Sequence, residues 1–232
     1  MSADHIIVAL DYDEAEQALR LASQIKDYLR FFKVGSQLFT REGPDFIRRL
    51  RGLGVDVFLD LKFHDIPETV RKAVRSAAAL DVRFLTIHTS GGPAMIEAAL
   101  KGAEEAGTGT TVLGVTVLTS MDEASLRATG QERTPAGQVL FLAEMAQKSG
   151  LKGLVCSPLE IAPIRARLGN EILLVTPGIR SGTDAKGDQK RTLSAGEALR
   201  LGASHLVVGR PITEAPDPVA AAAALAATTA EA

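Results

Sequence analysis

The stretch Val55-Asp56-Val57-Phe58-Leu59-Asp60-Leu61-Lys62-Phe63-His64-Asp65-Ile66-Pro67 is an apolar run that meets charge just where a helix begins. Its leading residues are apolar or β-branched, as in a buried strand, and Asp60, Lys62 and Asp65 then fall within six positions. Alternate side chains of an extended chain share a face, so Asp60 and Lys62 are expected to point the same way. Pro67 suits the first turn of a helix, and Glu68 complements the positive end of the helix dipole. A carboxylate and an ammonium on one face, where a strand gives way to a loop, form the pattern of a catalytic site on an α/β scaffold. A plainer account also fits: an ion pair between Asp60 and Lys62, with Asp65 capping the helix.

The pattern repeats on both sides of this stretch. Strands are expected at His5–Leu10, Phe31–Val34, Val55–Leu61, Phe84–His88, Thr111–Leu118, Gly153–Cys156, Ile172–Thr176 and His205–Val208. Helical spacing fills the intervals: Asp13–Ile25, Pro44–Arg51, Pro67–Ala79, the segment after Ser90-Gly91-Gly92-Pro93 to Ala106, Ala136–Lys148, Pro158–Leu168, Ser194–Leu201 and Pro218–Ala227. Ser181–Lys190 is polar and Gly-containing and reads as a mobile loop. Eight strands alternating with eight helices call for a parallel sheet closed on itself. The expected fold is therefore α/β, a single (β/α)8 TIM barrel occupying 1–232 as one domain. No linker or shift in composition divides it.

Bulk properties narrow the partners. A formal charge of −2 over 232 residues argues against a nucleic-acid face or an anionic-membrane partner. The lone Cys156 excludes an internal disulfide and fits a reducing compartment. No basic-then-apolar leader and no apolar run of membrane-spanning length stands out, so a cytoplasmic protein is expected.

The unusual polar residues sort to strand ends. Asp11 follows the first strand, Lys33 ends the second, and Asp60 and Lys62 end the third. His88 ends the fourth, Thr119 and Ser120 follow the fifth, Arg180 follows the seventh, and Gly209 and Arg210 follow the eighth. In a barrel these ends share one mouth, where active sites lie. Each residue also has a duller reading. Asp11 could cap the first helix, Thr119 could be a plain loop hydroxyl, and His88 reads as a satisfied core histidine or a support for its neighbours. Lys33 is harder to dismiss, because an ammonium inside an apolar strand needs a partner. No His, Cys, Asp and Glu grouping has metal-ligand spacing, so no metal is expected. The loops after strands seven and eight commonly hold phosphate. Gly209 allows close backbone approach to an anion and Arg210 offers a planar fork of donors, so a phosphorylated small molecule is the expected ligand.

With these residues in place, the chain resembles the orotidine 5′-phosphate decarboxylase family along essentially its whole length. The resemblance rests on seven segments in order: Ala9-Leu10-Asp11, Phe32-Lys33-Val34-Gly35, Asp60-Leu61-Lys62-Phe63-His64-Asp65-Ile66, Thr116-Val117-Leu118-Thr119-Ser120, Thr176-Pro177-Gly178-Ile179-Arg180, Gly187-Asp188-Gln189 and Val208-Gly209-Arg210. It implies a charged network of Lys33, Asp60, Lys62 and Asp65. It also implies a homodimer in which Asp65, with Ile66 and Thr69, enters the neighbouring site. Asp11 and Lys33 are implied at the ribose, Thr119 at the pyrimidine, and Gln189 between base and phosphate. Arg210 and the Gly209 amide are implied at the phosphate, and Arg180 at a further ligand position. No cofactor is implied.

The implied chemistry makes physical sense. Loss of carboxylate from C6 of orotate leaves an electron pair in the ring plane, where π delocalisation cannot absorb it. The site must then act by electrostatics and proton supply, with Lys62 as the proton donor and Asp60 beside the departing carboxylate. Adjacent carboxylates disfavour each other's ionisation, so the interleaved ammonium groups of Lys33 and Lys62 are required. Binding of the remote phosphate can help close the Ser181–Lys190 segment over the site. Two other readings remain. A Mg²⁺-dependent decarboxylase or aldolase of a sister sugar-phosphate barrel would carry an acid at the position of Lys33. A non-catalytic nucleotide-binding barrel would keep the phosphate grip but need no Asp60/Lys62 pair.

Overall fold

The computed structural model describes residues 3–179 and 193–230; Arg180, Gln189 and the expected Ser181–Lys190 loop lie outside the described residues. Eight strands form a closed parallel barrel in chain order: β1 (Ile6–Ala9), β2 (Phe31–Gly35), β3 (Asp56–Phe63), β4 (Phe84–His88), β5 (Thr111–Val115), β6 (Gly153–Val155), β7 (Leu173–Thr176) and β8 (His205–Val208). Closure is made by β8 against β1, with Leu206 opposite Ile6 and Val208 opposite Val8. The helices are α1 (Ala15–Ile25), α2 (Ser36–Glu42), α3 (Pro44–Arg51), α4 (Pro67–Ala78), α5 (Gly92–Ala106), α6 (Glu123–Ala128), α7 (Pro135–Lys148), α8 (Ile161–Leu168), α9 (Ala195–Arg200), α10 (Arg210–Thr213) and α11 (Pro218–Ala230). No described helix is long and apolar enough to cross a membrane.

Alternation along each strand creates two cores. Residues of one parity, such as Val8, Phe32, Leu59, Leu85, Leu174 and Leu206, are buried in the layer between strands and helices. Those of the other parity, Ile7, Phe31, Phe58, Phe84, Leu113, Val175 and Val207, fill the barrel interior. The interior is thus a packed core rather than a pore, as closure of eight strands demands. At its N-terminal end the rings of Phe31 and Phe84 lie 5.1 Å apart and His205 stands edge-on to Phe84 at 5.0 Å. Arg83 covers Phe31 at 4.9 Å while pairing with Asp56 at 3.0 Å, so an ion pair and rings in tilted and edge-to-face contact close that end.

Several sequence expectations need correction. β5 stops at Val115 rather than Leu118, because its neighbour β6 ends at Val155, directly opposite Val115, and leaves nothing to pair with residues 116–118. β3 runs on to Phe63 rather than ending at Leu61. Three short helices, α2, α6 and α10, were not expected. Of these α6 carries a readable signal, since Asp122 caps it by accepting from the Ser125 amide at 2.9 Å.

Candidate active site

The barrel's C-terminal mouth holds a cavity of about 600 Å³. Its polar wall brings together Asp11, Lys33, Asp60, Lys62, Thr119, Gly209 and Arg210, and its apolar wall includes Phe58, Val117, Leu118 and Val155. Strand parity explains this gathering. Lys33 has the parity of Phe31 and Asp60 that of Phe58, so both project inward above the aromatic plug.

Four charged side chains form a continuous run. The Lys33 Nζ donates to Asp11 Oδ1 at 3.2 Å and lies 3.8 Å from Asp60 Oδ2. Asp60 in turn receives Lys62 Nζ on both oxygens, at 2.8 and 2.9 Å. Lys33 and Asp60 are each 13% exposed in their side chains, so the pair is shielded from solvent, whereas Asp11 is open at 64%. A shielded carboxylate holding two ammonium groups is a strong local field, since charge pairs interact more strongly away from water. Among the described residues no group of three or more His, Cys, Asp and Glu is placed to hold a metal ion, and an ammonium stands between Asp11 and Asp60.

Asp60 and Lys62 meet by a different route from the flat alternation expected. Leu59 is opposite Leu85 and Phe63 opposite Ile87, so the segment between them carries two residues more than β4 does. Within this bulge Lys62 takes a φ of +52°, in the left-handed region that L residues other than Asn, Asp and Gly seldom enter. Such a backbone costs on the order of 1–3 kcal/mol and persists only where its surroundings hold it. Here the holder is Thr86 on β4. Its hydroxyl accepts the Lys62 amide at 2.9 Å and donates to Asp60 Oδ1 at 2.9 Å. Sequence reasoning missed Thr86; the available signal was its inward parity with Phe84 in the strand Phe84–His88.

Asp65, Ile66 and Thr69 are not brought into this cavity: all three are exposed, Ile66 at 68%. Asp65 does not cap α4 either. The N-cap is Ile66, and the Asp65 carboxylate accepts the Ile66 amide at 2.6 Å. At the end of β4, His88 packs against His64 with ring centroids 5.6 Å apart. Burial lowers the His88 pKa, His64 and Lys62 lower it further, and Asp60 opposes them. Beside Asp11, at the end of β8, the wall is continued by Gly209, which precedes α10, and by the exposed Arg210 that opens it.

Comparison with known proteins identifies the family of the chain. A family described as "Orotidine 5′-phosphate decarboxylase / HUMPS family" matches residues 4–225. The orotidine 5′-phosphate decarboxylase of Chromohalobacter salexigens is 50% identical over 220 residues, covering 95% of this chain and 93% of the relative. That of Nitrosococcus oceani is 49% identical over 225 residues, covering 97% of both chains. The crystal structure of orotidine 5′-phosphate decarboxylase from Lactobacillus acidophilus superposes with a TM-score of 0.85 at 40% identity, covering 96% of this chain and 97% of that one. The chain belongs to the orotidine 5′-phosphate decarboxylase / HUMPS family.

Proposed function

We propose that this barrel, acting as one domain over 1–232, decarboxylates orotidine 5′-phosphate to UMP and CO₂ without a cofactor. The decarboxylation itself, a step of pyrimidine-nucleotide biosynthesis, follows from family membership at half identity over nearly the whole chain. The observation that carries the residue roles is the run Asp11–Lys33–Asp60–Lys62 in the wall of a cavity that Gly209 and Arg210 also line, with Gly209 on the Asp11 side.

In this reading Arg210 and the Gly209 amide hold the phosphate. Asp11 and Lys33 take the ribose hydroxyls, and Thr119 contacts the pyrimidine. From the resemblance come Gln189, bridging base and phosphate, and Arg180 as a further ligand contact. The substrate's C6 carboxylate then stands beside Asp60, and the Lys62 ammonium beside C6. The C6–carboxylate bond breaks and CO₂ departs, leaving its electron pair on C6. Lys62 stabilises that pair and transfers its proton to it. The paired ammonium groups are in place before the charge develops, so little reorganisation accompanies the step.

The active species in this reading is a homodimer in a cytoplasmic setting. Asp65, Ile66 and Thr69 are exposed and outside their own cavity, as residues serving a neighbour's site need to be. Pairing with a second copy would also bury Ile66, an apolar side chain left 68% exposed.

The test is the loss of orotidine 5′-phosphate absorbance on adding EDTA-treated protein, run beside Lys62→Ala. Turnover by the parent with a loss of at least about 10³-fold in the variant is expected, combining general-acid and electrostatic contributions. A folded parent that binds UMP but turns nothing over would leave a nucleotide-binding barrel. Activity that EDTA abolishes and Mg²⁺ restores would return the sugar-phosphate alternative.

A further inference from the structure

We propose that Thr86 is a positioning residue for the decarboxylation, its hydroxyl fixing the Lys62 backbone and the Asp60 carboxylate as one unit. The proposal rests on the reading of Lys62 as proton donor and Asp60 as its partner.

The geometry is economical in atoms. A threonine hydroxyl has one hydrogen to donate and lone pairs to accept. The Thr86 hydroxyl accepts from the Lys62 amide and donates to Asp60 Oδ1, both at 2.9 Å. The same Asp60 oxygen receives Lys62 Nζ at 2.8 Å. Backbone, carboxylate and ammonium are thereby tied into one closed set through a group on the neighbouring strand.

Thr86 is fully buried, and it is absent from the cavity wall that Asp60 and Lys62 line. It therefore acts on the reaction through those two residues rather than by touching substrate. The need for such a tie comes from the bulge. Between Leu59–Leu85 and Phe63–Ile87 the register slips, and the ladder that would ordinarily hold the β3 backbone against β4 is interrupted. Lys62 adopts its left-handed backbone inside that gap. Without the hydroxyl, the Lys62 amide loses its acceptor and the backbone is free to relax toward an ordinary strand. That change would swing Nζ away from C6. A misplacement of about 1 Å at a reacting group can cost about 10²-fold in rate.

The experiment compares Thr86→Val, Thr86→Ser and Thr86→Ala with the parent and with Lys62→Ala, in kcat, KM and folding by circular dichroism. Val keeps the shape and β-branching of Thr but lacks the hydroxyl; Ser keeps the hydroxyl and lacks the methyl. Thr86→Val is expected to lower kcat about 10- to 100-fold, with KM within about threefold of the parent because the phosphate and ribose grips are untouched. Thr86→Ser is expected to stay within about threefold of the parent in both constants. If Thr86→Val fails to fold, the Ser and Ala variants decide: Ser near the parent with Ala at least about tenfold slower in kcat supports the tie. Equal kcat in Val and parent, or in Ser and Ala, overturns it while Lys62 keeps its role. A parent with no turnover, or a Lys62→Ala variant as fast as the parent, removes the underlying reading and the proposal with it.

Discussion

Lys33 and Asp60 stand 3.8 Å apart at their charged ends, although the residue in register with Lys33 is Phe58 and the one in register with Asp60 is Gly35. The ammonium reaches two residues further along the neighbouring strand to meet its partner. Gly35 leaves room for this, because a Cβ there would crowd Lys33 Nζ at 3.3 Å, with Asp11 Oδ1 at an ordinary 3.8 Å.

Gly35→Ala tests the need for that room. The clash falls on the far end of a flexible lysine rather than on backbone, so the fold should hold, with a melting temperature within a few degrees of the parent. Activity should fall by about tenfold as Nζ is pushed out of line with Asp60. Unchanged kcat in Gly35→Ala would show that the position of Lys33 tolerates displacement.

Arg210→Ala is expected to lower kcat/KM for orotidine 5′-phosphate by about 10- to 100-fold, the loss of one charge-assisted hydrogen bond at about 1.5–3 kcal/mol. The phosphate-free nucleoside orotidine should be affected by less than about threefold, since it lacks the group that Arg210 holds. Equal losses on both substrates would move Arg210 away from the phosphate.

The dimer reading predicts complementation. Lys62→Ala and Asp65→Asn proteins should each be nearly inactive alone. Mixed under conditions that exchange subunits, they should recover about a quarter of parental activity, because half of the dimers are hybrids with one intact site. If Asp65 serves only its own chain's cavity, no mixture recovers activity.

Acid stability should depend on His205. Burial pushes its imidazole down to about 4, Arg83 and His5 push the same way, and Asp4 opposes them. Its Nδ1 is buried and has no hydrogen-bond partner among the described residues. The unfolded chain binds a proton near pH 6.5 while the folded one resists it until about 4. The stability from keeping this ring neutral is therefore complete above about pH 6.5 and is lost as pH falls through that window. Urea unfolding should show about 2 kcal/mol less stability at pH 5 than at pH 7 from this group, a component that His205→Gln should remove. A smaller loss of the same sign persists in the variant, because burial also lowers His88. An identical pH 5 to pH 7 difference in both proteins would place the acid sensitivity elsewhere.

Much of this molecule was legible without coordinates. Strand positions follow from short apolar runs, and the inward set Phe31, Lys33, Phe58 and Asp60 from a period of two. Eight such repeats leave closure into a barrel as the consistent outcome, which places Asp11, Lys33, Asp60, Lys62, Thr119, Gly209 and Arg210 at one mouth. These signals are local: each needs only a residue's neighbours in sequence.

What only the tertiary structure decided depends on register between strands far apart in sequence. Nothing within Val55–Pro67 announces that Lys62 leaves the extended region, because its φ of +52° is held by Thr86, 24 positions away. The same holds for the early end of β5, set by where β6 stops, and for the space that Gly35 leaves to Lys33. A one-residue change of pairing would alter each of these while leaving every local pattern intact. The sequence by itself therefore determines which residues reach the mouth, and the packing of β3 against β4 determines how Asp60 and Lys62 are held there.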